Sequence, residues 1–418
     1  MKSIFRNRVI WLLIGNDMLD NMAIWVRNMA ILFYVMEQTN GDPIAVSLIT
    51  VAEYVPIFLF SMIGGTLADR WEPRRTMLLG GVLSAASVAA IGFAIMLGAW
   101  EAVFFATVVS AVVSQFSQPS SFVIIKRHLK DDEVAAATGL AQSIAALFLI
   151  GGPVLGTFVY SKLGMATSLF VITALFSLST LLVAFLPKVQ RQPDTSHHGL
   201  WSEMGEGIRF VFRDARLKTL LLLFALLGIG IGITQPLDIF IVTERLQLEK
   251  EHTQWFLLAS GVGMLGGGVL AATVVSKTKE RTNWVIARGL AFLAVSLVVE
   301  AWSVWVPLTL LFRFLVGIAM AFMQAALSAM MIRMVDENYV GRINGTIMPI
   351  MTGTLLIGTG MAGPLMKSTS LLTAYFLAAC IVMAAALIGS RLRSGGSPAM
   401  PEGGPRQPAP SASGDTHA

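Results

Sequence analysis

Residues 44–75 read IAVSLITVAEYVPIFLFSMIGGTLADRWEPRR. The first 25 of these positions, 44–68, carry a single charged residue, Glu53. About 20 apolar residues in helical form cross the hydrocarbon of a bilayer, so the run reads as one membrane span. Asp69, Arg70, Glu72, Arg74 and Arg75 then arrive within seven positions. A chain that turns so abruptly from apolar to charged has passed from lipid into water.

The same alternation continues in both directions. Similar apolar runs fall near 9–36, 75–97, 100–125, 134–160 and 166–186, and again near 217–243, 252–276, 283–303, 305–331, 339–366 and 371–392. The composition agrees: of 418 residues, 55% are hydrophobic and 13% charged, with a mean hydropathy of +0.71. A soluble domain carries about 25% charged residues, so about half the surface charge such a domain needs is missing. The reading is an all-α membrane protein with twelve transmembrane helices in two pseudo-symmetric six-helix bundles. Residues 1–186 form the first bundle, 187–216 a cytoplasmic linker, 217–392 the second bundle and 393–418 a disordered tail. From the linker into the start of the second bundle, Trp201–Lys218 mixes Ile208, Phe210 and Phe212 with Arg209, Arg213 and Arg216, a pattern for an amphipathic helix on the inner leaflet or for a solvated linker. The tail has Met400 as its one large apolar side chain and cannot bury enough surface to order itself.

Basic residues set the expected direction. With the N-terminus inside, 23 of the 30 Lys and Arg lie on the cytoplasmic side, and Lys162, Arg245, Lys250 and Lys367 lie outside. That bias places both termini in the cytoplasm of a multi-pass protein of the plasma or inner membrane. The formal charge of +5 therefore reflects orientation, and no nucleic-acid partner is expected. Met1–Arg8 and the run after it mimic a signal peptide, but the run is too long and contains Asp17, Asp20 and Arg27, so it reads as a retained first span. The single cysteine, Cys380, allows no disulfide within the chain and argues against a thiol metal site.

The two halves are related. At an offset of 206 residues Gln118 meets Gln324, Arg127 meets Arg333, Gly139 meets Gly345 and Gly152 meets Gly358. Acidic Asp131 and Glu337 fall at the same offset in the following loop. Two such halves imply a pseudo-two-fold axis along the membrane normal, with a ligand site between them near the midplane.

The loop quoted at the outset, with Gly64, Gly65, Asp69, Arg70, Arg74 and Arg75, resembles the signature between helices 2 and 3 of the major facilitator superfamily. The resemblance implies a conformational latch on the cytoplasmic side. Gly139, Gly152, Pro153 and Gly156 resemble part of the motif associated with antiporting exporters of that superfamily, with Phe148 standing where a further glycine belongs. Glycine there permits close helix packing, expected across the interface between halves, and proline a bend. Arg313 and Gly317 resemble a motif usually found in span 4, where this chain has Thr107 at the repeat-equivalent position. Through Tyr54, Val55 and Pro56 and the latch loop, the first spans most resemble the macrolide-efflux type. The resemblance implies export of a small amphipathic substrate, driven by protons, by a protein with no cofactor and no metal, working as a monomer in the lipid bilayer.

Charges inside a span cost about 2.5–3.5 kcal/mol each on insertion scales, so those present need a reason. Span 1 holds Asn16, Asp17, Asp20, Asn21, Arg27 and Asn28. At 100° per residue they occupy a sector of about 140°, which reads as a face lining a chamber between the two bundles. Asp17 and Asp20 are candidates for proton coupling or for a structural polar pair, and Arg27 is expected too far along the axis to touch Asp20. Glu53, Asp238 and Arg313 are further candidates for proton or substrate binding; Asp238 follows Gln235 and Pro236, where the helix is expected to break. Glu300 reads as an interfacial residue at a helix end. Trp25, Gln115, Gln118, Met323 and Gln324 are candidate pocket residues or ordinary core.

Other readings of the same residues remain at this point. Export of an endogenous product such as a siderophore, or movement of a lipid, would use the same fold. An intramembrane enzyme or a receptor is less well supported: there is no H-E-x-x-H and no G-x-x-x-x-G-K-[ST] in the chain.

Overall fold

The computed structural model describes residues 7–129, 131–187, 209, 215–274, 282–334 and 337–390. The Trp201–Lys218 helix and the tail from 393 lie outside the described residues, apart from Arg209 and Ala215–Lys218. Of residues 61–70 the helical backbone path alone is described.

The first half holds α1 (Arg8–Gln38), α2 (Pro43–Arg70), α3 (Pro73–Met96) and α4 (Val103–His128). A single run, Asp131–Ala184, supplies both α5 (131–163) and α6 (165–184), broken at Gly164 with φ 71° and ψ 178°. An L side chain rarely adopts that conformation, and glycine adopts it at no steric cost. The second half holds α7 (Ala215–Thr234), α8 (Thr253–Val274), α9 (Thr282–Trp302), α10 (Val306–Met334), α11 (Glu337–Ser368) and α12 (Leu371–Ser390). Counting α5 and α6 apart, and following α7 through the turns after Thr234 to Arg245, the described residues hold the twelve expected spans, each within a few residues of its predicted limits.

Helix starts follow ordinary capping chemistry. The Asn7 side chain accepts from Val9 N at 2.9 Å, and Asp42 Oδ1 accepts from Ile44 N at 3.2 Å. Pro43 and Pro73 open α2 and α3, where the missing N–H would be unpaired in any case. The α1–α2 turn needs two left-handed residues, Asn40 and Gly41.

The pseudo-symmetry predicted from the repeat is present in the packing. α1 lies on α5 as α7 lies on α11, α2 on α4 as α8 on α10, and α3 on α6 as α9 on α12. The halves meet along α2–α11 and α5–α8, two contacts that the pseudo-axis exchanges. Large apolar side chains such as Leu79, Phe93, Phe158, Phe170, Val269 and Phe376 project from the bundle. In water they would be a liability; in lipid they are the ordinary outer surface.

The seam is packed shut at the end opposite the termini. One buried cluster draws Met29, Phe33, Val46 and Tyr160 from the first half and Leu237, Phe240 and Met366 from the second. Phe33 and Tyr160 lie 5.7 Å apart between ring centres. Above this plug, Lys250 pairs with Glu37, and Lys367 with Asp42 at 3.2 Å, each ion pair joining one half to the other.

Candidate functional site

Each half buries a polar cluster. In the first half, α1, α3, α4 and α6 surround a cavity of about 150 Å³ lined by Asn16, Asp17, Asp20, Asn21, Ser84 and Ser179 among others. Asp20 accepts from Ser179 Oγ at 2.6 Å and from Asn16 Nδ2 at 3.2 Å. Ser179 also lies 2.8 Å from Asn16 Oδ1. A hydroxyl has one proton to donate, so it serves Asp20 or Asn16 in turn. Asn21 donates back to the Asp17 carbonyl at 2.8 Å. Among the described residues no ion pair reaches Asp17 or Asp20. α4 adds Ser110, Ser114, Ser117 and Ser121, one hydroxyl per turn on a single face.

The second half concentrates charge. After Thr234 the seventh span tightens into a 3-10 turn at Gln235–Leu237 and widens into a π turn at Ile241–Arg245. Pro236 brings no backbone donor to this stretch. The break turns Asp238 toward α10, where Arg313 holds it with both arms: Nη1 to Oδ2 at 3.0 Å and Nη2 to Oδ1 at 2.8 Å. Tyr375 of α12, fully buried, donates to Asp238 Oδ1 at 2.9 Å. On its other edge Arg313 Nε lies 2.8 Å from Glu300 Oε2, close as an ion pair but out of line for a hydrogen bond. Two carboxylates thus share one guanidinium, leaving one negative charge unless a proton joins them.

Between these clusters sits Arg27, buried on α1. Its Nε and Nη2 donate to Asn28 Oδ1 at 3.2 and 2.8 Å, while Nη1 has no hydrogen-bond partner among the described residues. Among the described residues no ion pair joins it to Glu53 of α2. Beside Glu53, α2 packs against the Gln235–Leu237 turn, so the first half meets the break in α7.

Residues 17–303 match the Major Facilitator Superfamily. The chain belongs to that superfamily. Its relatives include the MFS-type transporter YkuC of Bacillus subtilis, 24% identical with 83% of each chain covered. The multidrug efflux pump Tap of Mycolicibacterium fortuitum is 25% identical, covering 84% of this chain and 87% of Tap. Macrolide efflux protein A of Streptococcus pyogenes is 22% identical, covering 80% and 83%. Among solved structures, the nucleoside transporter NupG superposes with a TM-score of 0.73 at 12% identity, covering 92% of this chain and 98% of that one. A POT family peptide transporter gives 0.71 at 12% identity, over 91% and 94%. Fold and family are those of transporters rather than enzymes.

Within the superfamily framework several expectations need correction. Asp17, Asp20, Asn16 and Asn21 face a cavity whose described lining comes wholly from the first bundle, not a chamber shared by both. The 140° polar sector was real, but a helix with neighbours all round can aim a polar face at its own bundle. Gly152 and Gly156 pack on α1 of their own half rather than across the interface: a Cβ on Gly156 would lie 2.6 Å from the Trp25 carbonyl oxygen. Trp25 packs against those glycines. Gly139 has open space around it, and on α5 Ile150 packs against Gly261 of the other half. Met323 is buried core, whereas Gln324 is exposed. Gln118 lines the first-half cavity, and Gln115 donates to Ser114 at 3.2 Å. Glu300 is no interfacial residue: it is 2% exposed and ion-paired.

The latch glycines Gly64 and Gly65, with Asp69 and Arg70, lie outside the described side chains. Arg74 donates to the Ala184 carbonyl at the end of α6, and Arg75 pairs with Glu72, so both engage their own half. Ser179 and Tyr375, which complete the two clusters, were not singled out from sequence; nothing in their local pattern separates them from ordinary membrane Ser and Tyr. The serine stripe of α4, spaced by four, three and four residues, was a readable signal.

Proposed function

We propose that the chain is a proton-coupled exporter of amphipathic compounds, macrolide-like or broader, that works as a monomer by alternating access. Residues 1–186 and 217–392 would be the two moving bundles, with both termini in the cytoplasm of the plasma or inner membrane. The observation that carries the reading is the pair of buried acidic clusters, Asp17–Asp20 and Asp238–Arg313–Glu300. Burying carboxylates within a bilayer is expensive, and a surplus of carboxylate over cation is what a proton carrier requires. The efflux names of the relatives supply the direction.

With the termini cytoplasmic, the packed end of the seam faces outward. The plug around Phe33 and Phe240 and the two ion pairs then form the closed outer gate of a cytoplasm-facing state. Opening it would break Glu37–Lys250 and Asp42–Lys367 while α2–α11 and α5–α8 slide. In this scheme proton uptake from outside and substrate uptake from inside alternate at the buried carboxylates.

Reconstituted vesicles test this directly. With an imposed pH gradient, amphipathic test compounds should move against a matching proton flux, and Asp20→Asn should remove the dependence on the gradient. Compound movement that ignores the gradient in the parent protein would sink the coupling.

A further inference from the structure

The cavity that holds Asp17 and Asp20 has a neighbour on the bilayer side of the same bundle. Between α3 and α4, near the end that carries the termini, a groove of about 530 Å³ is lined by Trp71, Leu79, Leu83, Val112 and Phe116. Its size falls within the range that takes drug-sized ligands, about 300–1,000 Å³. Trp71 stacks on Phe116 with ring centres 5.6 Å apart. Leu79 and Leu83 are 71% and 51% exposed, so the groove faces the acyl chains. Glu72 and Arg75 mark its rim with an ion pair, at the level where the chain emerges into water.

Little separates the groove from the acidic cavity. Val113 lines both. On α3, Gly80 lines the groove and Gly81 the cavity. A Cβ on Gly80 would stand 2.8 Å from Val113 Cγ1 and 3.0 Å from Ser117 Oγ. The partition is therefore one isopropyl group resting on a bare glycine. On one side lies apolar volume open to lipid; on the other lie two carboxylates whose partners among the described residues are amides and a hydroxyl, with no cation of those residues paired to them.

The geometry points to a side chamber within the first bundle that takes a cationic amphiphile from the bilayer, its apolar body in the α3–α4 groove and its ammonium group past Val113 beside Asp17 and Asp20. This rests on the reading of the chain as an exporter of amphipathic compounds, and it names the charge of one ligand class and a lateral route to it. The site is separate from the seam between the bundles. Charge complementarity selects the occupant: an anion meets two carboxylates, and a neutral chain gains nothing beyond the groove.

The test uses the full chain in lipid nanodiscs, carrying Cys380→Ser and Leu83→Cys, and follows alkylation of the thiol at position 83 by N-ethylmaleimide. Dodecyltrimethylammonium, dodecanol and dodecyl sulfate are compared at equal membrane loading. The ammonium probe should protect the thiol, and Asp17→Asn with Asp20→Asn should raise its half-protecting concentration about tenfold, the change that about 1.4 kcal/mol produces. The alcohol and the sulfate should respond little to that double change. Val113→Phe keeps both carboxylates but fills the partition, and it too should remove the advantage of the cation over the alcohol. Equal protection by all three probes, or protection by the cation that is indifferent to both variants, overturns the side chamber. Labelling needs no transport, so the two readings fail separately. Protection without any export counts against the exporter, and export without charge-selective protection counts against the chamber.

Discussion

Arg313 and Asp238 are joined by two parallel hydrogen bonds, at 3.0 and 2.8 Å, between a helix and the broken end of another 75 residues away. Guanidinium and carboxylate match edge to edge, which adds geometric constraint to charge. The same guanidinium touches Glu300, and Asp238 is held again by Tyr375. Four spans, α7, α9, α10 and α12, are thereby tied at one point. Removing one partner of a buried pair leaves the other charge stranded, at a cost of about 3–5 kcal/mol. Arg313→Ala should lower the unfolding temperature in detergent sharply, whereas Arg313→Met with Asp238→Asn and Glu300→Gln should recover much of the loss. Arg313→Lys, which keeps the charge but not the fork, should fall between them.

Asp20 and Ser179 offer a test of a different kind. Asn at position 20 keeps the size of the side chain and most of its bonds, so Asp20→Asn should leave folding intact while removing proton-driven flux. Ser179→Ala removes the 2.6 Å bond to Asp20; a hydrogen bond to a charged group is worth about 1.5–3 kcal/mol. The thermal midpoint should drop modestly and transport should weaken without being lost. If Asp20→Asn transports normally under a pH gradient, Asp20 carries no coupled proton.

At the packed end of the seam, Glu37 accepts from Tyr160 of its own half and from Lys250 of the other. The Glu37 and Lys250 side chains are partly exposed, and exposed pairs contribute about 0–1 kcal/mol. Glu37→Gln should therefore shift the balance of closed and open seam by no more than about fivefold. Spin labels placed on opposite halves near this end would report it as a growing long-distance population. Exchanging the pair, Glu37→Lys with Lys250→Glu, should restore the original distances.

The spans were legible because lipid imposes one rule on every residue of a run, and twelve runs obey it. The charges within spans were legible for the same reason. What each charge touches was not, because periodicity gives the face of a helix and not the neighbour it meets. Asp20 could be placed on a polar stripe with Asn16, yet its partner Ser179 lies 159 positions away on α6. Glu300 looked interfacial because it stands near a helix end, and only the packing of α9 against α10 shows Arg313 beside it. Glycine was the least readable residue: Gly139 and Gly152 belong to one motif but stand in open and crowded surroundings.

That contrast gives a graded series along α5. A methyl group at Gly139 meets nothing within 4 Å, so Gly139→Ala should be neutral or slightly stabilising, since alanine favours helix by about 1 kcal/mol over glycine. A methyl group at Gly152 would overlap the Trp25 ring, and overpacking of that kind costs about 1–3 kcal/mol. Because the obstacle is a side chain, Trp25→Ala should rescue Gly152→Ala. At Gly156 the nearest atom is the Trp25 carbonyl oxygen, 2.6 Å from the added carbon. Backbone cannot be trimmed, so Trp25→Ala should leave Gly156→Ala unrescued, with α1 forced away from α5. Thermal unfolding of the five variants decides it. Equal rescue at 152 and 156 would mean that the obstacle at both is the indole ring and that the close approach of the two helices is not what constrains position 156.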